Sequence, residues 1–327
     1  MKKQSNKHNF ITIIIVIALL LVVVFSIVQI IDSFAPSKKI STDATVATKT
    51  VTGEGNKYYP RQDITTFLLM GIDQNGKVEQ SDSYNNEGEA DMLVLAVFDE
   101  TEKTYNLLLL NRDTMTDIKI LGLGGKPAGV AYQQLALAHT YGKGLEDSCE
   151  NTRDAVSELL NGIKVDYYLS MNMDAIGILT DAVGGVKVTV TDDFSEVDAS
   201  IPMGETILTG QQAVSFVQTR KDIGNQMNVS RIERHKEFMN GFLDALKTTV
   251  DGSDSFVLKN FDSISDYVVT DSSVNTLNKL FNSYVDYELK DIVSPEGENK
   301  KGETYMEFYP DEKLLNEMIL ELFYAKK

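Results

Sequence analysis

Thr65-Thr66-Phe67-Leu68-Leu69-Met70-Gly71-Ile72-Asp73, Asp91-Met92-Leu93-Val94-Leu95-Ala96-Val97-Phe98 and Tyr105-Asn106-Leu107-Leu108-Leu109-Leu110-Asn111-Arg112-Asp113-Thr114 are three apolar runs, each with a charged group at one end. Continuous runs of this length, bounded by turn signals, predict strands of an α/β sheet buried on both faces. Sheets of this kind bind ligands at the carboxyl ends of their strands, which is where Asp73 and Arg112-Asp113 fall. Two carboxylates and a guanidinium on one sheet edge suit a metal-bound phosphate or pyrophosphate. A buried ion-pair network is the competing explanation and remains open on the residues alone. If strand geometry continues past Leu110, Asp113 points away from Arg112.

The chain has 327 residues, and its first sixty read differently from the rest. Phe10 to Ile31 is 22 residues without a charge. As a helix it would be roughly 33 Å long, enough to cross a hydrocarbon core. Lys2, Lys3 and Lys7 precede it, which favours a cytoplasmic tail over residues 1–9 and a signal anchor over 10–31. A cleaved signal peptide fits less well, because Ser33-Phe34-Ala35 runs into Pro36. Residues 32–63 lack any period and read as an extracellular stalk, leaving 64–327 as one domain outside the cell membrane.

A single cysteine, Cys149, permits no internal disulfide and reads as a buried small side chain. The formal charge of −17 argues against nonspecific nucleic-acid binding, which needs clustered Lys and Arg. Only three histidines exist, none paired at metal spacing, and no Gly-x-Ser-x-Gly elbow occurs. His139 reads as a helix-end histidine making a structural hydrogen bond. Counting leaves a Ser-His-Asp triad open, but with no elbow, no Trp and no Cys-based site the chemistry is expected from carboxylates, arginines and a metal.

Further along, Gln74 to Ala90 is a long polar loop between two of the candidate groups. Leu121 to Pro127 is glycine-rich without a phosphate-loop spacing and reads as a mobile loop. Helices are expected over Val130 to His139, Glu146 to Leu160, Asp174 to Ala182, Leu258 to Val268, Val274 to Val285 and Leu314 to Phe323. Strands are expected over Val165 to Met171 and Val186 to Val190. Thr209 to Gln212 and Ser230 to Glu233 match the capping-box pattern. The second box sets Arg231 and Arg234 at a helix N-terminus, a place suited to an anion, and pairing of both arginines with surface acids is the alternative.

In this order, the residues resemble the LytR-CpsA-Psr family of cell-wall glycopolymer ligases. The matching pieces are Leu68-Leu69-Met70-Gly71-Ile72-Asp73, Ala90-Asp91-Met92-Leu93, Asn111-Arg112-Asp113-Thr114 and Ala138-His139-Thr140-Tyr141-Gly142. Val165-Asp166-Tyr167-Tyr168, Asp181-Ala182-Val183-Gly184-Gly185-Val186, Leu208-Thr209-Gly210-Gln211-Gln212-Ala213, and Arg220 followed by Arg231 and Arg234 complete the set.

The resemblance implies a single αβα sandwich around a central mixed sheet. It implies transfer of a glycosyl phosphate from a polyprenyl-pyrophosphate-linked glycan to a peptidoglycan hydroxyl, with the lipid in an apolar channel between sheet and helices. By motif position, Asp73 and Asp91 would hold Mg²⁺, and Arg112, Arg220 and Arg231 would neutralise pyrophosphate oxygens. On the strand geometry above, Asp113 would either support the site from behind or stand on the acceptor side. Three positions depart from the family pattern: Glu89 and Gln218 stand where arginine is usual, and Asn111 where proline is usual. Two alternatives follow. One is a relative that binds the lipid pyrophosphate without transferring it, motivated by Glu89 and Gln218. The other is a membrane-bound transcriptional attenuator, disfavoured by the absence of a basic recognition helix.

Overall fold

The computed structural model describes residues 51–326 except 54–55, 81–87, 123–124, 220–233, 235–236, 239, 243, 246–247, 250–255, 285–286 and 303–304. The expected cytoplasmic tail and membrane span, and the second capping box with Arg220 and Arg231, lie outside the described residues. No helix among the described residues is long and apolar enough to cross a membrane.

Strands β1 (Val51–Gly53) and β2 (Asn56–Pro60) form a hairpin, and β15 (Tyr324–Lys326) adds to β2 as a third strand. The last part of the expected stalk, Tyr58 to Pro60, is thus paired with β15. The three apolar runs become β3 (Ile64–Ile72), β4 (Ala90–Asp99) and β5 (Thr104–Leu110). They are neighbours in a six-stranded mixed sheet completed by β8 (Tyr167–Asn172), β11 (Val268–Thr270) and β12 (Glu288–Val293), in the order β11-β8-β3-β4-β5-β12. β4 runs antiparallel to both β3 and β5, whereas β8 is parallel to β3. The end of β3, the start of β4, the end of β5 and the end of β8 consequently meet at one edge.

Alternation along β3 explains why both faces are apolar. Leu68, Met70 and Ile72 point into one core with Cys149, Val156 and Ile319, from the helices Leu145–Leu159 and Glu312–Phe323. Phe67 and Leu69 point into the other with Ala175, Leu277 and Tyr284, from Asp174–Ala182 and Val274–Tyr284. Helices thus cover both sides of the sheet. A third cluster seats the hairpin of β9 (Val186–Val190) and β10 (Gly204–Leu208) on the helix Gly210–Gln218. That helix starts with the expected capping box, the Thr209 amide donating to Gln212 Oε1 at 2.9 Å.

Several local expectations are corrected. Val130 to His139 is not one helix. Its first half belongs to β7 (Pro127–Gln134), paired antiparallel with β6 (Met115–Leu121), and only Leu137–Thr140 is helical. Where the two strands join, around residues 123–124 that lie outside the described residues, the Gly122 amide donates to the Lys126 carbonyl at 2.7 Å. One face of this hairpin, through Thr116 and Ile118, is buried, and that tertiary pairing overrides the local helical preference. The helix expected to run to Val268 is Phe256–Ile264, and Val268 starts β11. The last two strands, β13 (Gly297–Lys301) and β14 (Met306–Pro310), form a hairpin beside β6.

The helices Asp174–Ala182 and Gly210–Gln218 cross where two glycines allow close approach. A Cβ on Gly210 would stand 2.3 Å from the Gly177 carbonyl oxygen and 2.6 Å from Asp181 Oδ2. Backbone and a hydrogen-bonded carboxylate cannot give way cheaply, since Asp181 also accepts from the Gly210 amide at 2.7 Å. Gly210→Ala is therefore expected to destabilise the domain by about 1–3 kcal/mol, read as a lowered thermal midpoint.

Candidate functional site

The pairing of β3 with β4 slips by one residue at the edge: Gly71 faces Met92, but Ile72 faces Ala90. Asp91 is the extra residue of a β-bulge, a device that re-aims a side chain next to active sites. Bulging takes it out of the alternation that would send it, with Leu93, into the opposite core. Asp91 instead lines the same cleft as Asp73, together with Met92, Met171, Asn172 and Val217. Backbone bonding reinforces the convergence. The Glu89 carbonyl accepts both the Asp73 amide at 3.1 Å and the Asp91 amide at 3.0 Å. Asp73 is exposed and Asp91 is 5% exposed.

Arg112 leaves the end of β5 into the same neighbourhood. Its NH1 pairs with Asp91 Oδ1, its NH2 with Glu89 Oε2 at 2.6 Å, and its Nε lies 3.4 Å from Asp113 Oδ1. Burial works against the cation, yet Asp91, Glu89 and Asp113 together hold its pKa above the ordinary arginine value. Asp113 does not point oppositely. The strand ends at Leu110, and Arg112-Asp113 is a turn in which Asn111 Oδ1 accepts the Asp113 amide at 2.9 Å. An Asx turn of this kind replaces strand geometry. Burial raises the Asp113 carboxyl above its usual range, more than Arg112 lowers it, and Gln134 Nε2 donates to it at 2.9 Å.

Leu135 to His139, a segment the sequence reading did not connect to the site, ties these pieces together. The Ala136 amide donates to the Arg112 carbonyl at 3.0 Å, and the Ala136 carbonyl accepts the Ala90 amide at 3.2 Å. His139 Nδ1 donates to the Gly88 carbonyl at 2.8 Å, the structural hydrogen bond expected of it. His139 is 6% exposed, and burial pushes its pKa down to about 4, so the ring is neutral near pH 7.

Arg234 is held elsewhere. Its Nε donates to the Phe216 carbonyl at 3.1 Å, its NH2 to the Thr219 carbonyl at 2.6 Å, and its NH1 to Asp192. It is 2% exposed and satisfies the C-terminal carbonyls of the helix Gly210–Gln218, a favourable place for a cation. Its pKa is lowered by burial despite Asp192. Gln218 donates to Asn75 Oδ1 at 3.3 Å, so the helix end still reaches the loop that follows Asp73.

Among the described residues, no group of three or more His, Cys, Asp or Glu side chains suits a metal. Two carboxylates on one cleft nevertheless fit Mg²⁺, which takes one or two protein carboxylates and fills its shell with waters and phosphate oxygens. The cleft is mostly apolar, lined by Met92, Met171, Met173, Ile176 and Val217, with a volume of about 30 Å³. That is room for about one water. An isoprenoid would need the flexible methionines to rotate.

The structure is a mixed α/β sandwich with an acid–arginine cluster at the edge of its central sheet, above an apolar cleft. The chain belongs to the LytR_cpsA_psr family, whose profile matches residues 27–323. It is 29% identical over 221 residues to a polyisoprenyl-teichoic acid–peptidoglycan teichoic acid transferase TagU of Enterococcus faecalis, covering 67% of this chain and 65% of that protein. It is 28% identical over 200 residues to the transferase TagT of Bacillus subtilis, covering 59% of this chain and 56% of that protein. The chain thus spans between half and two thirds of the length of these curated relatives. A structure of TagT bound to LI-WTA superposes with a TM-score of 0.54 at 25% identity, covering 80% of this chain and 90% of that chain. The protein gbs0355 from Streptococcus agalactiae shares the fold with a TM-score of 0.57 at 23% identity, covering 80% of this chain and 86% of that one.

The neutral buried His139 gives a pH signature. Its folded pKa of about 4 lies below the unfolded value, so the unfolded chain binds more protons between the two. Its contribution is complete above about pH 6.5 and is lost as pH falls toward 4. From pH 7 to pH 5 it should remove about 2 kcal/mol of stability. Denaturant titrations at both pH values should show a smaller loss in His139→Gln, which keeps a donor without titrating; equal losses would refute the assignment.

Proposed function

We propose that the protein is a membrane-anchored phosphotransferase that moves a glycosyl phosphate from a polyprenyl-pyrophosphate-linked glycan to a peptidoglycan hydroxyl, with Mg²⁺ assisting. The observation that carries this reading is the convergence of Asp73, Asp91 and Arg112 on one sheet edge above an apolar cleft. Membership of the family and the transferase names of TagU and TagT support it. So does a TagT structure described as bound to LI-WTA. The expected signal anchor would hold the domain outside the cell, where both donor headgroup and peptidoglycan are accessible.

Transfer needs positioning and charge neutralisation more than a strong nucleophile. The acceptor oxygen forms a bond to the phosphorus that carries the glycan. The bond from that phosphorus to the bridging oxygen breaks, and its electron pair leaves with the polyprenyl phosphate. The hydroxyl proton goes to Asp113, whose raised pKa makes it a better base than an ordinary carboxylate. Arg112 binds the non-bridging oxygens through its planar fork, joined by Arg220 and Arg231. Asp73 and Asp91 would hold Mg²⁺, which supplies Lewis-acid stabilisation of the developing charge.

Glu89 favours a second reading, in which the protein binds lipid pyrophosphates without turning them over. Its carboxylate takes the Arg112 donor at 2.6 Å that a phosphate oxygen would use. An anionic donor must displace it.

Release of polyprenyl phosphate from a synthetic pyrophosphate-linked glycan, with and without Mg²⁺, separates the readings. Arg112→Lys keeps the charge but loses the fork, and should slow release roughly 10–100-fold, the value of about one charge-assisted hydrogen bond. An equally active Arg112→Lys would show that no bidentate contact forms. Glu89→Gln removes the competing carboxylate and should tighten donor binding roughly tenfold. No release by the wild type on any donor, together with measurable binding, would establish the binder, and restoring arginine at positions 89 and 218 should then awaken turnover.

A further inference from the structure

Gln134 ends β7, and the chain that carries it runs beside the Arg112-Asp113 turn. The Leu135 amide donates to the Thr114 carbonyl at 2.8 Å, and the Ala136 amide to the Arg112 carbonyl at 3.0 Å. Both neighbours of Asp113 are thereby tied to this strand end. Gln134 is 9% exposed, and its Nε2 donates to Asp113 Oδ1 at 2.9 Å and to the Met306 carbonyl at 2.6 Å. An ionised carboxylate and a backbone carbonyl only accept, so only the NH2 end of the amide can face them both. From β14, the Phe308 amide donates to the Asp113 carbonyl at 2.8 Å, and Asn111 Oδ1 takes the Asp113 amide. Both backbone polar groups and one carboxylate oxygen of Asp113 are therefore held. The other donor to Oδ1, Arg112 Nε, stands farther off at 3.4 Å. On the function proposed above, Arg112 turns to the donor's oxygens, and a carboxylate held by Arg112 alone would be released when it must take a proton. The Gln134 contact survives that exchange. Being neutral, it orients the carboxylate without the pKa depression that a second guanidinium would bring.

We propose that Gln134 is a positioning residue, which holds Asp113 Oδ1 in place while Oδ2 takes the proton of the acceptor hydroxyl. This rests on the reading of Asp113 as the base in transfer. Among the described residues Oδ2 has no hydrogen-bond partner, and the Asp113 side chain keeps 17% exposure, so the free oxygen is not walled off by the contacts that hold its twin. Through Met306 and Phe308, the β13–β14 hairpin becomes part of the mounting of the base. Gln134 lies in a stretch whose local pattern is helical, so its reach to Met306, 172 residues away, has no local signal.

The test follows release of polyprenyl phosphate from a synthetic pyrophosphate-linked glycan across pH, using the full chain in detergent and a peptidoglycan fragment as acceptor. Gln134→Leu removes the donor while keeping most of the bulk, and should lower kcat roughly 10–100-fold with the KM for the pyrophosphate-linked glycan unchanged. It should also move the acid limb of the pH profile upward by roughly one pH unit, because an ionised Asp113 that loses a hydrogen bond takes up its proton more readily. Gln134→Glu keeps the shape and decides the matter if the leucine variant does not fold. Two adjacent carboxylates must share a proton, so activity should gain an alkaline limb that the wild type lacks. A wild-type pH profile in either folded variant, with Asp113→Asn inactive, would show Gln134 to be only a staple between β7 and β14, and this inference alone would fall. Asp113→Asn as active as wild type would remove the base, and no release by the wild type would remove the transferase reading; either result takes this inference with it.

Discussion

One carbonyl oxygen organises the site. Glu89 O accepts the amides of both Asp73 and Asp91, so the end of β3 and the bulged start of β4 are pinned to a single atom. Without that shared acceptor, period-two alternation would send Asp91 to the face opposite Met92, where a lone carboxylate would meet an apolar core at a cost of several kcal/mol. The bulge lets a strand that is buried along its whole length end in a charge that faces a cleft. The fold supports this atom from behind: Ala136 bridges Ala90 and Arg112, and His139 holds Gly88.

The electrostatic state of the cluster follows from that backbone. Arg112 meets three carboxylates in a partly buried setting. Among the described residues, the charge around Arg112 is therefore net negative. On the function proposed above, a bound cation would lower the cost of binding an anionic donor, and the donor that of binding the cation.

Much of the framework was legible in the residues because its signals are local. The runs at 65–72, 91–98 and 105–110 are long, apolar and bounded, and they became the three central strands. Asp174 to Ala182 and Val186 to Val190 match the expected helix and strand end to end. What failed depended on partners distant in the chain. Val130 and Tyr132 are exposed and carry no core periodicity, so only the pairing with Met115–Leu121 makes them a strand. The bulge at Asp91 has no glycine or proline to announce it and exists only in the register with β3. Asp113 turned with Arg112 because Asn111, read only as a departure from proline, captures its amide. Arg234 was assigned by its place beside a capping box, yet the carbonyls that bind it belong to a helix that ends 16 residues earlier.

The three-stranded sheet at the far end of the domain has a mechanical meaning. β2 and β15 are antiparallel, with Tyr58 facing Lys326 and Pro60 facing Tyr324, and β1 sets Val51 against the other side of Tyr58, so residues 51 and 326 share one rung. Tension between the ends would open this ladder one rung at a time instead of shearing all rungs together, and it would yield at low load. The sheet edge that carries Asp73 lies at the other end of β3, roughly 30 Å away for nine extended residues. Load on the termini would be spent in a short peripheral zipper before it reached the bulge.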